Sequence, residues 1–147
     1  MAEHNIIGQK GEELAAKIMR EKGFRVVDMN WKFGHLEMDV IAVSRKEIAF
    51  VEVKTRTTSF AGKRPEEYVD DLKRRRMAAA ANAYIKFHKI ELTPRFDIIG
   101  ITMDATTHEV KEVTHLEDAF LPPQRTIGKS SFSGQGRWHH RNRVIGK

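Results

Sequence analysis

The sequence predicts an α/β protein in which helices cover a small mixed β-sheet. Three observations support this fold class: a helical apolar pattern near the start, three short apolar segments separated by turns, and a second helical pattern followed by two further strands. The order helix, three strands, helix, two strands favours helices layered on a sheet. With 147 residues, 40% of them apolar and 31% charged, the chain has the size and composition of one globular domain.

The first helix is predicted over residues 6–22. Apolar side chains recur there on one helical face, at Leu14, Ala15, Ile18 and Met19. Gly23 ends the helix, as a glycine just past the last turn commonly does. Glu12 and Glu13 fit the preference of acids for the N-terminal part of a helix, so their presence needs no functional explanation.

Three strands follow. Residues 24–33 form the first, Gly34 bends the chain, and residues 36–43 form the second. A turn at residues 44–47 leads to the third strand at residues 48–55. The second and third strands carry apolar side chains on both faces, which predicts central positions in the sheet.

The second helix is predicted to begin at Pro65, after a polar loop at residues 57–64. Proline is tolerated at the first helical position, and Glu66 and Glu67 favour the positive end of the helix dipole. Four consecutive cations occupy residues 73–76. The expected buried side consists of Val69, Leu72, Ala80, Tyr84 and Phe87.

Residues 94–103 form the fourth strand, and residues 104–107 form a turn. A short fifth strand is predicted at residues 109–114, with residues 115–120 as a separate closing segment. The Pro122–Pro123 pair marks the end of the domain, which we place at residues 1–120.

The basic charge of the chain is confined to its last part. Residues 1–120 hold all 20 acids and 20 of the 26 Lys and Arg residues, so the net charge of +6 lies in residues 121–147. This tail is rich in Gly, Ser and Arg and is expected to be disordered. A polyanion such as nucleic acid is its natural partner, and a solvated tail that only aids solubility is the alternative. Trp138, with Arg137 and Arg141 beside it, would either stack on exposed bases or dock on the domain.

The sequence also predicts a cytoplasmic protein that does not enter the membrane. No apolar run approaches the roughly 20 residues that a membrane-spanning helix needs. The first residues lack the pattern of a signal peptide, and the chain has no cysteine for disulfides or thiolate metal sites.

The residues that point to chemistry lie on the second and third strands. Asp39 is an acid within an apolar strand, and Glu52 and Lys54 lie on one face of the next, about 7 Å apart. Buried charges need a partner, and a divalent cation held by carboxylate oxygens would provide one. The alternatives are a water-facing acid at Asp39 and an exposed local ion pair between Glu52 and Lys54. Glu37 would be either a further ligand or a surface acid.

Other chemistries lack their motifs. The seven histidines show no zinc-binding spacing, and the sequence contains neither a GxxxxGK[ST] or GxGxxG phosphate loop nor a GxSxG nucleophile turn.

Several strings resemble the YraN family of small, functionally uncharacterised bacterial proteins. They are Gly11-Glu12-Glu13-Leu14-Ala15, Gly23-Phe24, Glu37-Met38-Asp39 and Phe50-Val51-Glu52-Val53-Lys54-Thr55-Arg56, joined by Lys73, Arg95-Phe96-Asp97, His115 and Ala119-Phe120. The resemblance covers about residues 5–120. It implies a nuclease domain of the restriction-endonuclease-like fold, in a superfamily that includes Holliday-junction resolvases.

The resemblance also implies roles for single residues. Asp39, Glu52 and Lys54 match the two acids and the lysine of the PD-(D/E)xK motif, and Glu12 matches a glutamate on the first helix of the resolvase-like branch. Mg²⁺ or Mn²⁺ would be held by Asp39, Glu52, Glu12 and the backbone carbonyl of Val53.

Two positions depart from the family pattern. Met38 stands where the wider motif has proline, and Leu36 stands where YraN proteins usually have glycine; the bulk of Leu36 could narrow the approach to the site.

With this resemblance, the sequence predicts a metal-dependent nuclease that acts on DNA. The analogy with resolvases implies branched or recombination intermediates as substrates, and the twofold symmetry of a junction would then favour a homodimer. The expected nucleic-acid contacts are Arg56, Lys63, Lys73, Arg137, Trp138 and Arg141. Two rival hypotheses stay open: a nuclease fold that binds nucleic acid without cutting it, and an interaction protein that acts through its basic tail.

Overall fold

Two helices and five strands occupy the parts of the chain that the computed structural model describes, residues 2–57 and 69–121. Their bounds are α1 Ala2–Glu21, β1 Arg25–Phe33, β2 Leu36–Val43, β3 Glu47–Thr57, α2 Asp71–His88, β4 Thr93–Met103 and β5 Val110–Phe120. The element order matches the prediction, and the mixed α/β fold class is confirmed.

The five strands form one sheet in the order β1-β2-β3-β4-β5. Neighbouring strands are antiparallel except for β3 and β4, which are parallel. Antiparallel neighbours can be joined by tight turns, whereas a parallel pair needs a crossover. The connection from β3 to β4 contains α2, and α2 packs on one face of the sheet while α1 packs on the other.

Each helix closes one half of the hydrophobic core. The half beneath α2 is built around Met38, Ile41, Phe50, Met77, Tyr84, Phe96 and Ile98. The half beneath α1 is built around Ala15, Met19, Val40, Ala42, Val51, Ile99 and Ile101. Helix α1 lies close against the sheet at Gly11, where an added Cβ would collide with the side chain of Thr55. The absence of a side chain at Gly11 is therefore what lets α1 approach β3.

The second helix begins later than the sequence predicted. Its described part starts at Asp71, because Asp70 caps it in an extended conformation and accepts a hydrogen bond from the Lys73 backbone N–H at 2.9 Å. Val69 is buried but precedes the helix. The predicted start at Pro65, with Glu66 and Glu67, lies outside the described residues.

The predicted buried side of α2 was partly wrong. Ala80 and Tyr84 are buried, but Leu72 is 48% exposed and Phe87 is 75% exposed. The buried face consists of Met77, Ala78, Ala80, Ala81, Tyr84 and Ile85. The error arose from extending the helical phase back through Val69, which is not helical.

The fifth strand is longer than predicted, and the separate closing segment at residues 115–120 was wrong. Strand β5 continues through it, with Ile98 paired to Leu116 and Phe96 paired to Phe120. The pairing shifts between those two rows, where Asp118 adopts a left-handed φ of 53°. A bulge of this kind lets a strand continue through residues that would otherwise end it.

The remaining boundaries lie close to their predicted positions. Strand β2 matches residue for residue, the other three strands differ by one or two residues at an end, and α1 begins four residues earlier than predicted. Neither helix in the described part of the chain combines the length and apolar content required to span a membrane.

Candidate active site

The candidate site lies where β2 and β3 separate. The two strands pair only between residues 40–43 and 48–51. Beyond these rows the backbone N–H of Val53 donates a 2.8 Å hydrogen bond to Oδ2 of Asp39 instead of to a strand carbonyl. The Asp39 carboxylate therefore bridges a fork between two strands, and the alternative of a water-facing acid is wrong.

The local backbone is irregular around this acid. Residues two apart in a regular strand face the same side, yet Met38 packs in the core beneath α2 and Val40 packs in the core beneath α1. Strand β1 is irregular at the same level, because Asn30 has a φ of 52°. The two-residue alternation of side chains along a strand is therefore broken at Asp39. Glu37 is an exposed surface acid, with its carboxylate 3.9 Å from the Lys32 ammonium.

Glu52 lies on β3 with two ammonium groups against its carboxylate. Lys54 Nζ is 3.5 Å from Oε2, and Lys73 Nζ, from the first turn of α2, is 3.4 Å from Oε1. Glu52 is only 4% exposed, so the alternative of an exposed ion pair is wrong. The predicted sharing of one strand face by Glu52 and Lys54 is borne out by their contact.

The carboxylates of Asp39 and Glu52 repel each other. The pKa of Asp39 is raised from its ordinary value of 3.8 to about 7, first by burial and next by the negative charge of Glu52. The hydrogen bond from Val53 opposes this rise, Glu12 on α1 adds to it, and the Lys73 ammonium lowers it. The negative charges of Glu52 and Glu12 therefore both act on Asp39, and their effect is to raise its pKa.

The donor chemistry of this site fits a hard divalent cation. Asp39 and Glu52 offer carboxylate oxygens, which Mg²⁺ and Mn²⁺ prefer, and a cation between them would relieve their repulsion. Over residues 2–57 and 69–121, no three His, Asp or Glu side chains are gathered closely enough to hold a metal ion by themselves. Glu12 is near enough to influence Asp39 but does not complete a ligand set. The ligand role of the Val53 carbonyl stays a prediction.

The predicted nucleic-acid contacts are only partly within the described residues. Arg56 lies two residues past Lys54 on β3 and donates a 3.2 Å hydrogen bond to the carbonyl of Thr55. Lys73 faces Glu52, so its predicted contact with nucleic acid would compete with an ion pair. Four predicted contacts lie outside the described residues: Lys63, Arg137, Trp138 and Arg141.

A buried ionic network centred on β4 was not predicted from the sequence. Asp97 is fully buried and accepts hydrogen bonds from Arg95 Nη2 at 3.0 Å and from the Asp118 backbone N–H at 3.0 Å. The imidazole Nε2 of His115 lies 2.8 Å from Oδ2 of Asp97. Arg95 also pairs with Glu47 at 3.2 Å. The signal was available in the sequence, since an acid and an arginine two apart on an apolar strand need partners.

We expect Asp39→Asn to stabilise the protein in a pH-dependent way. The raised folded-state pKa means that ionising Asp39 costs folding free energy as the pH rises from about 4 to about 7, after which the cost is constant. Asn keeps the acceptor for Val53 but carries no charge. The variant should be more stable by roughly 1–4 kcal/mol at about pH 8, since one pKa unit corresponds to about 1.4 kcal/mol. Urea unfolding of both proteins between about pH 4 and 8 measures this; a constant difference across the range would contradict it.

Fold and site together define a mixed α/β protein with a carboxylate–lysine cluster at a strand fork. The chain belongs to the family described as Uncharacterised protein family UPF0102, which it matches over residues 11–101. It is 41% identical to a UPF0102 protein of Porphyromonas gingivalis over 120 residues, which cover 82% of this chain and 87% of the relative. It is also 41% identical to UPF0102 proteins of Phocaeicola vulgatus, with 84% and 98% covered, and Parabacteroides distasonis, with 85% and 100% covered.

Proposed function

We propose that this protein is a metal-dependent nuclease of the restriction-endonuclease-like class that hydrolyses phosphodiester bonds in DNA. The observation that supports this most is the convergence of Asp39, Glu52 and Lys54 at the fork between β2 and β3. Buried acids that repel each other beside a lysine are costly for stability, and such groups cluster where a protein performs chemistry.

Each residue has a task that its geometry suits. Asp39 is anchored through Oδ2, and its Oδ1 has no hydrogen-bond partner in the described part of the chain, so one oxygen is left to bind a cation. Glu52 would supply a second carboxylate oxygen. A bound Mg²⁺ or Mn²⁺ would acidify a water molecule and offset negative charge on the phosphate.

Lys54 is the residue to which we assign contact with the substrate. Its side chain is 26% exposed, whereas the side chain of Glu52 is 5% exposed, so the ammonium lies on the solvent side of the ion pair. It would donate to a non-bridging phosphate oxygen while a water molecule gives up a proton to solvent, the water oxygen bonds to phosphorus and the bond to one bridging oxygen breaks. The released alkoxide takes its proton from solvent. A preorganised ammonium stabilises the charge that develops in this step.

The first experiment is cleavage of a labelled panel of duplex, single-stranded, flap and four-way-junction DNA and of RNA. We expect cutting in Mg²⁺ or Mn²⁺, none in a chelator, and none by Asp39→Asn. The panel also tests the proposed preference for branched DNA. Cutting that persists in Asp39→Asn would show a contaminant or a misassigned site, and failure of the wild type to cut any member would reject the nuclease.

A second candidate function is nucleic-acid binding without cleavage. Glu52 is already neutralised by Lys54 and Lys73, and no third acidic ligand is gathered in the described residues, which would suit a site that no longer holds a metal. Calorimetric titration with Mn²⁺ separates the two functions, since only the nuclease requires Mn²⁺ binding that Asp39→Asn removes. The cytoplasmic location and the homodimer stay predictions.

A further inference from the structure

An open groove of about 650 Å³ lies at the other end of the sheet from the candidate active site. It is bounded by the start of β1, the end of β2 and the C-terminal ends of both helices. Arg25 at its rim pairs in register with Val43, and Val43 is four residues along β2 from Asp39, a separation of about 13 Å. The groove shares no lining residue with the Asp39 cluster.

Three guanidinium groups line this groove without a charge partner. Arg20, Arg25 and Arg45 are exposed, and none of their side chains forms an ion pair or hydrogen bond with another residue of the described ranges. Arg20 lies in the last turn of α1, where a cation also offsets the helix dipole. Arg25 and Arg45 lie on a strand and a turn, where no such role exists. Uncompensated like charges at one groove form an electrostatic site for an anion.

Two acids near the groove, Asp28 and Glu47, are engaged with other residues. Asp28 accepts a 3.0 Å hydrogen bond from the hydroxyl of Tyr84, and burial followed by that hydrogen bond raises the pKa of Tyr84, which therefore stays neutral. Glu47, which follows the Arg45 turn, is paired with Arg95. Neither of these two acids neutralises Arg25 or Arg45.

Aromatic rings stand beside the cations. The rings of Tyr84 and His88 lie 4.2 Å apart between centroids, and both line the groove. Phe87, which is 75% exposed and is not among the residues that line the groove, packs edge-on against His88 at 4.9 Å. Exposed rings next to a positively charged groove are the combination that holds single strands, because phosphates meet the cations and unpaired bases stack on the rings. An acidic peptide would meet the cations but has no bases to stack on the rings.

We propose that this groove binds a single-stranded segment of nucleic acid, with Arg25 and Arg45 on its phosphates and the His88 and Phe87 rings against its bases. The groove is separate from the site at Asp39 and binds whether or not that site cuts. The proposed function and this inference can therefore fail independently.

The test is fluorescence anisotropy of a labelled thymidine oligonucleotide of about 15 residues with the full chain, in a chelator so that no cleavage occurs. The groove variant is Arg25→Ala/Arg45→Ala, and the matched control is Lys17→Ala/Lys111→Ala, which removes two exposed charges elsewhere. We expect the Kd to rise about 10-fold in the groove variant and less than about 2-fold in the control. The slope of log Kd against log salt should fall by about 1.4 in the groove variant, at roughly 0.7 per phosphate contact.

A second variant tests the aromatic rings separately from the arginines. Phe87→Ala/His88→Ala should weaken binding about 5- to 10-fold with the salt slope unchanged, since stacking releases no counterions. Equal weakening by the groove variant and its control would overturn the proposal, because charge anywhere on the chain would then suffice. Competition by polyglutamate as effective as that by unlabelled oligonucleotide would overturn it in favour of an acidic peptide. Arg25→Lys/Arg45→Lys should retain most of the affinity.

Discussion

Replacing Glu52 with Gln is expected to lower metal-dependent cleavage by at least about 10³-fold, measured as single-turnover rates on the best substrate of the panel. Glu52 is a buried acid at the strand fork, and two ammonium groups contact its carboxylate. Gln keeps its shape but removes its charge, so a metal loses a carboxylate and Lys54 loses the partner that orients it. The pKa of Asp39 should fall below about 7, because the charge of Glu52 is the second largest cause of its rise.

The matched control is Glu37→Gln. It removes an exposed carboxylate on β2 whose ion pair with a surface lysine is long, at 3.9 Å. Because surface ion pairs contribute little, cleavage should stay within about 2-fold of wild type. Lys54→Met separates the two proposed roles, because it should remove most of the cleavage and leave Mn²⁺ binding measurable. Cleavage by Glu52→Gln at the wild-type rate would show that the fork is not the active site.

Replacing Asp97 with Ala is expected to reduce the free energy of unfolding by about 3–5 kcal/mol, measured by urea denaturation at neutral pH. Asp97 is fully buried and is the common acceptor for Arg95, His115 and the Asp118 backbone. Its removal leaves Arg95, whose side chain is only 11% exposed, with the more exposed Glu47 and Glu117 as its remaining acidic partners, and takes away the carboxylate that accepts from the Asp118 backbone at the β5 bulge. Breaking one side of a buried pair costs more than the pair itself contributes, because the remaining charge has lost its compensation.

Glu117→Gln serves as the control for Asp97→Ala. Glu117 contacts Arg95 at 3.6 Å and Lys22 at 2.6 Å, and the hydrogen bond from Lys22 lowers its pKa. Its side chain is 46% exposed, so water can replace both partners, and we expect a loss below about 1 kcal/mol. A small effect of Asp97→Ala, equal to that of Glu117→Gln, would show that water enters the β4–β5 network and solvates Arg95.

The candidate site could be identified from the sequence because its charged residues interrupt strands that are otherwise apolar. Asp39 and Glu52 are acids in apolar strands, and Lys54 shares a face with Glu52 through the two-residue period of a strand. That short-range geometry is confirmed by the 3.5 Å contact between Lys54 and Glu52. The contact of Lys73 with Glu52 was not predictable in the same way, because it joins positions 21 residues apart and depends on where α2 begins.

The fold class, the order of the elements and the three residues of the candidate site were predictable from the chain alone. These follow from apolar periodicity and from charges placed against that periodicity, both of which are local properties of the chain. Three features emerge only once the chain is folded: the place where β2 and β3 separate, the hydrogen bond from the Asp118 backbone to Asp97, and the groove that Arg25, Arg45 and His88 share. Those features depend on the left-handed backbone conformations of Asn30 and Asp118 and on the packing of segments that are distant in the chain. Such features form only in the folded protein, because there the whole chain must pair its buried charges and fill its interior.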